Sequence, residues 1–194
     1  MSSYSLPTPR RIVISNATKD LAGHGSGNEP AVEVVTEAVE ADEIFGGVMK
    51  RANIGTITIP ATNDGPHTTV AAPGAGVVLP GGANLYFLDL APGYTTPMHR
   101  TVSNDYLIVQ TGSPVLITPA SSFDAKDGRG SYTETVETVC HPGEVVIQRG
   151  AMHALSNRGD TWIRLFAIVF DAKTQKIEGN DGKPAVSLGE LWLQ

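Results

Sequence analysis

No apolar run in this chain goes far before a glycine, proline, asparagine or aspartate stops it. From Asn84 onward six such runs follow one another: Leu85–Leu90, Tyr106–Gln110, Val115–Thr118, Thr133–Val139, Glu144–Gln148 and Trp162–Phe170. Runs this short, closely spaced and without a helical period between them predict an antiparallel sandwich or barrel. The 21 glycines and 13 prolines among 194 residues exclude a long helical bundle, which cannot absorb so many backbone breakers. A hydrophobic share of 41% keeps the chain out of the disordered class. The length suits about one domain with a core of its own.

The first 83 residues are looser. Arg10–Ser15 predicts a strand, His24–Pro30 a polar glycine-rich loop, and residues 31–39 and 53–60 a second pair of strands. A weak helical pattern over Glu33–Val48 competes with a strand there. Residues 61–82, with Gly65-Pro66, Pro73-Gly74 and Pro80-Gly81-Gly82, predict an extended arm. The expected organisation is an N-terminal arm over 1–83, a barrel over 84–171 and an extension over 172–194. Leu188, Leu191, Trp192 and Leu193 make that extension apolar enough to pack on the barrel or on a second subunit.

A formal charge of −6 gives no electrostatic footprint for nucleic acid. The five carboxylates between Glu33 and Glu43 read as a solvated loop or strand edge. Cys140 is the single cysteine and forms no internal disulfide, which fits a reducing compartment. It sits beside His141 in a Pro-Gly turn, and a structural role is preferred to a catalytic thiol. The first residues lack the apolar centre of a signal peptide, and no segment reaches the roughly 18 apolar residues of a membrane span. The expectation is a soluble, cytoplasmic chain with no membrane partner.

Of five histidines, His24 and His67 lie in loops without partners, while His99 and His153 attract chemistry. If the stretch after Pro97 is extended, His99, Thr101, Ser103 and Asp105 share one face, followed inward by Leu107 and Val109. A carboxylate pointing into an apolar barrel must be paired, hydrogen-bonded or bound to a cation. His153, just after the strand Glu144–Arg149 and the Gly150 turn, converges on that face if the strands are neighbours. Two imidazoles and a carboxylate with open positions are a ligand set for mononuclear non-haem iron. A buried hydrogen-bonded network without metal explains the same residues, and spacing alone leaves both open.

Gly93, His99, Thr101, Asp105 and Gly112 resemble the first motif of the cupin superfamily, G-x5-H-x-H-x3-E-x6-G. Thr101 stands at the second histidine and Asp105 at the glutamate. Gly143, Gly150, His153 and Asn157 are similar to the second motif, G-x5-P-x-G-x2-H-x3-N, with Arg149 at the proline and one residue fewer between the glycines. The sequences Met98-His-Arg-Thr101, Asp105-Tyr106 and Gln148-Arg-Gly-x-x-His153 resemble a single-domain cupin subgroup of bacterial and fungal small-molecule and polyketide metabolism. The resemblance covers residues 84–171. It implies an all-β double-stranded β-helix (a jelly-roll barrel), one divalent metal on His99, Asp105 and His153, with Fe(II) favoured over Mn, Zn or none, and a homodimer.

Around that set, Arg149 is expected to hold an anionic or carbonyl-bearing substrate or to pair with an aspartate. Thr101 and Trp162 complete the expected substrate-binding set; Trp162, Arg164 and Phe166 share one aromatic face of their strand. Arg100 and Tyr106 should face away from the site, and Asn157 should fix the loop after His153. Three functions follow. The first is an Fe(II)-dependent oxidoreductase or dioxygenase acting on a phenolic or polyketide-like metabolite. The second is a redox-neutral dehydratase, decarboxylase, isomerase or cyclase. There His99 and His153 serve as acid and base, and Asp105 sets one imidazole's tautomer. The third is a non-enzymatic small-ligand binder.

Overall fold

The computed structural model describes residues 3–16, 29–63, 67, 77–178 and 185–193, and every regular element among them is a β-strand. The N-terminal part holds β1 (Arg10–Asn16), β2 (Val32–Ala38), β3 (Asp42–Ile44) and β4 (Met49–Thr58). Next come β5 (Gly82–Leu90), β6 (His99–Arg100), β7 (Ser103–Thr111), β8 (Val115–Pro119), β9 (Ala125–Lys126) and β10 (Arg129–Gly130). Then follow β11 (Thr135–Val139), β12 (Val145–Arg149), β13 (Ala154–Ser156) and β14 (Ile163–Asp171). The last three are β15 (Gln175–Ile177), β16 (Val186–Leu188) and β17 (Leu191–Trp192). His24 and most of the 61–82 arm lie outside the described residues.

The expected jelly roll is present in the ladders themselves. One sheet runs β12-β7-β14-β5 and continues into β4 and β3. The facing sheet runs β11-β8-β13, and β6 joins it through an antiparallel bridge between His99 and His153. Along the chain from β5 to β14, leaving aside the β9–β10 hairpin, the first barrel strand pairs with the last, the second with the seventh, the third with the sixth and the fourth with the fifth. That nested order is the double-stranded β-helix. Leu90, Leu107, Val109, Leu165, Ala167 and Val169 from one sheet meet Leu155 and Cys140 from the other in a single core. Odd positions of β14 face inward, as the period of two requires.

The competing helix over Glu33–Val48 does not form. All seven residues of β2 pair with β1, and β3 turns back onto β4 through Phe45, Gly46 and Gly47, whose φ angles are 52°, 70° and 85°. Three consecutive left-handed residues end any right-handed helix. Gly112 closes the loop between β7 and β8 at φ 77°, where an added Cβ would sit 2.3 Å from Ile163 Cγ2. Glycine is required there for both conformation and room.

The aromatic face of β14 is turned away from the barrel interior. Trp162 packs edge-on against Tyr4 with ring centroids 5.0 Å apart, and Phe166 meets Phe87 at 5.1 Å. Between them Arg164 grips Asp89 with two bonds of 2.7 Å, and Arg164 also donates to Pro7 O and to the Tyr4 hydroxyl. Tyr4 donates to Asp89 Oδ2 at 2.6 Å, and burial together with that carboxylate pushes its hydroxyl up to about 12. Each charge is satisfied several times over, so the N-terminal segment is tied to the outside of the sheet. Removing one partner of such a buried pair costs about 3–5 kcal/mol, because the other charge stays buried alone. Arg164→Ala should therefore lower unfolding free energy by that amount in urea, while Arg158→Ala, at the exposed Glu137 pair, should leave the urea midpoint nearly unchanged.

Candidate functional site

The two histidines are brought together by the backbone. His99 N donates to His153 O and His153 N to His99 O, both at 2.9 Å. The facing residues of this narrow antiparallel pair put the imidazoles side by side, centroids 4.4 Å apart at 45°. Each Nδ1 lies beside the carbonyl two residues before it, His99 Nδ1 2.9 Å from Pro97 O and His153 Nδ1 3.0 Å from Ala151 O, and His153 Nδ1 also lies 3.0 Å from Gln148 Nε2. Nε2 is left as the atom that can meet a ligand. On its other face His99 stacks on Trp192, centroids 4.0 Å apart and planes 8° from parallel. Trp192 is held there because β17 pairs with β6, and Leu193 N donates to Met98 O at 2.9 Å. The C-terminal extension thus packs back on its own barrel.

Both rings line a cavity of about 600 Å³, a size suited to a small metabolite. Its walls are mostly apolar, including Ile44, Phe45, Met49, Leu88, Leu155 and Leu193. Asp105, Tyr86, Arg51 and Glu190 bring polar atoms to the same cavity. The Arg51 guanidinium carbon lies 5.7 Å from the centre of the Tyr86 ring. Asp105 is 4% exposed, and its Oδ1 is buried without a hydrogen-bond partner. Burial pushes its carboxyl up to about 6, against a smaller opposing bond from Ser103. Burial lowers both imidazoles, and the neighbouring His99 adds to the effect on His153, which falls to about 4. Burial also raises the Tyr86 hydroxyl, and the Asp105 charge raises it further.

The expected metal triad does not assemble. Among the described residues no three of His, Cys, Asp and Glu come close enough together to hold a metal ion. A bend at Thr101–Val102 separates β6 from β7, so the period-two count from His99 to Asp105 does not run along one continuous strand. Asp105 shares the cavity wall with the imidazole pair, and without a third ligand gathered beside that pair the described residues do not fit a mononuclear metal centre. Asp105 also sets no tautomer, since both Nδ1 atoms are engaged elsewhere.

The expected substrate-binding residues lie elsewhere. Thr101 is buried beside a second cleft of about 510 Å³, where Arg149 and Lys173 also sit. The Thr101 hydroxyl bonds Ser103 at 2.7 Å in the interior. Trp162 lies on the outer face against Tyr4. Arg100 and Tyr106 face away from the cavity, as anticipated: Arg100 donates to Gly189 O, and Tyr106 meets Phe170. Asn157 fixes the loop after His153 by donating to Leu90 O and Thr161 O. Cys140 is buried, and burial raises its thiol, consistent with a structural role. Sequence reasoning missed Gln148, Tyr86, Arg51 and the stacking role of Trp192. The apolar C-terminal run was the one signal for the last of these.

No protein-family model matches the chain. It is 28% identical over 183 residues to phomopsin biosynthesis cluster protein D of Diaporthe leptostromiformis, covering 91% of this chain and 86% of that protein. The same figures hold for phomopsin biosynthesis cluster protein C' of that fungus. Among solved structures, a Cupin 2 conserved barrel domain protein from Salinispora arenicola CNS-205 aligns with TM-score 0.41 and 19% identity, over 69% of this chain and 82% of that one. The Drosophila melanogaster CENP-C cumin domain aligns with TM-score 0.42 and 15% identity, over 68% and 72%. An oxalate oxidase aligns with TM-score 0.35 and 21% identity, over 46% and 42%.

Asp105 and His153 pull stability in opposite directions with pH. A carboxyl raised from 3.8 to about 6 stabilises the fold below 3.8, and that contribution is lost as pH climbs through 6. An imidazole lowered from 6.5 to about 4 stabilises the fold above 6.5 and loses that contribution as pH falls through 4. Each effect is on the order of 3 kcal/mol, and they nearly cancel over one window. Asp105→Asn should therefore become more stable as pH rises from about 4 to about 6.5, and His153→Gln less stable. Urea unfolding at several pH values measures both slopes, and parallel slopes for the two variants contradict the assignment.

Proposed function

We propose that the chain is an enzyme of small-molecule metabolism that moves protons without net oxidation, as a dehydratase, decarboxylase, isomerase or cyclase. One observation carries the reading: a pair of imidazoles and a carboxyl, all pushed by burial toward their neutral forms, line one apolar cavity. Groups tuned in this way are what proton transfer near neutral pH requires. Asp105, at about 6, is the base that takes a proton from substrate and returns it. The neutral imidazoles hold the substrate oxygen beside it, and the apolar walls exclude water from the exchange. The similarity to proteins named for a biosynthesis cluster supports a metabolite substrate. The Fe(II) oxidoreductase reading has no matching ligand set, and simple ligand binding gives no reason to tune three titratable groups.

A panel of β-hydroxy acids, β-keto acids and enolisable ketones, assayed by mass spectrometry under nitrogen with EDTA present, tests this. Turnover should persist, with products of unchanged mass or lacking water or carbon dioxide. Asp105→Asn should lower the rate by at least about 100-fold, in the range expected for loss of a positioned acid–base group. Oxygen-dependent products that gain oxygen, with no reaction under nitrogen, overturn the proposal.

The proposed assembly is a homodimer. Ile12, Ile14, Val32 and Val34 share one face of the β1–β2 hairpin and are 60–70% exposed. The outer strand β12 also exposes Val145 and Ile147. Such a surface calls for a covering partner. Light scattering should give twice the chain mass of 20.4 kDa, and Ile14→Lys with Val34→Lys should return it to a single chain.

A further inference from the structure

The two imidazoles differ in one respect that the pairing of their strands does not explain. His99 Nδ1 has a single polar neighbour, Pro97 O at 2.9 Å. A carbonyl only accepts, so the proton of His99 is on Nδ1 and Nε2 carries a lone pair. His153 Nδ1 has two neighbours at 3.0 Å: Ala151 O and the side-chain nitrogen of Gln148.

Gln148 is 4% exposed, and the backbone pins both ends of its amide. Gly150 N donates to Oε1 at 3.0 Å, and Nε2 donates to Ala151 O at 3.0 Å. Turning the amide over would set donor against donor and acceptor against acceptor. The second hydrogen on Nε2 is therefore left for His153 Nδ1. A proton on Nδ1 would bring two donors within 3.0 Å and leave a buried N–H of Gln148 unsatisfied, a cost of about 1–3 kcal/mol. A lone pair on Nδ1 gives each amide hydrogen a partner, Ala151 O and Nδ1, and leaves only a contact between those two acceptors at 3.0 Å in place of a buried unsatisfied donor.

We infer that Gln148 is a positioning residue that holds His153 with its proton on Nε2, so that the paired rings offer opposite polarity, an acceptor on His99 and a donor on His153. The group that such a pair takes is an oxygen that both donates and accepts: a hydroxyl, an enol or a protonated carboxyl. A substrate anchored by an alcohol or enol fits the apolar cavity better than one entering as a carboxylate, which would lose its hydration there. The bearing on turnover rests on the proton-transfer reading above, whereas the tautomers rest on the hydrogen bonds alone.

Two-bond hydrogen–nitrogen NMR of the full chain labelled with ¹⁵N-histidine, at neutral pH, reads the tautomers directly. His99 should show the Nδ1–H pattern and His153 the Nε2–H pattern. Gln148→Leu leaves Ala151 O as the sole partner, and Gln148→Glu adds an acceptor. Either variant should move His153 to the Nδ1–H pattern while leaving His99 unchanged, a change that loss of packing alone does not produce. If Gln148→Leu fails to fold, the near-isosteric Gln148→Glu carries the same readout. An Nδ1–H pattern at His153 in the unmodified chain, or a pattern indifferent to both substitutions, overturns the assignment. The predicted pattern together with no turnover on any substrate counts against the enzymatic reading and upholds the tautomers.

Discussion

Two reciprocal hydrogen bonds between the backbones of His99 and His153 hold the barrel and its chemistry together. With the bonds that join Tyr94–Thr96 to Leu155–Asn157, they link β6 and the segment before it to the β11-β8-β13 sheet, and so complete the nested order of the jelly roll. The same bonds set two imidazoles in contact, and the next ladder outward, β6 with β17, brings Trp192 onto His99. The fold and the site are one construction here.

Burial acts on two aspartates of this chain with opposite results. Asp89 meets a guanidinium in two bonds and a tyrosine hydroxyl in a third, and it serves to tie the N-terminal segment to the sheet. Asp105 is as deeply buried, has one oxygen without a partner, and faces a cavity. Full satisfaction removes a group from chemistry, whereas incomplete satisfaction leaves it able to exchange a proton with whatever enters. The contrast separates a structural carboxylate from a candidate working one without reference to any relative.

Much of this was legible in the sequence, and the failures share a cause. Strands announced by alternation and glycine spacing formed where expected, because each depends on residues near in the chain. His99, Asp105 and His153 did reach one cavity. Thr101, Ser103 and Asp105 do turn inward together as counting by twos requires, but the Thr101 hydroxyl is taken up by Ser103 and Thr101 does not line the cavity that holds Asp105. Trp162 was placed correctly on an aromatic face, but which side of the sheet that face covers depends on Tyr4, distant in sequence. Gln148 stood in the Gln148-Arg-Gly-x-x-His153 signature, but nothing in that pattern gave it a role. Its role comes from a side chain folding back on the backbone of Gly150 and Ala151, which leaves no periodic trace.

The wall of the cavity formed by Trp192 and Leu193 is held to the barrel by the short β6–β17 ladder, by the bond from Leu193 to Met98 and by packing of Leu191 and Leu193 on Met98 and Ala154. Ile44, Phe45 and Met49, at the turn between β3 and β4, bring a second wall from the N-terminal part, so segments from both flanks of the barrel bound the space around His99. The barrel fixes His99, Asp105 and His153, while residues outside it set the shape of the space those three line.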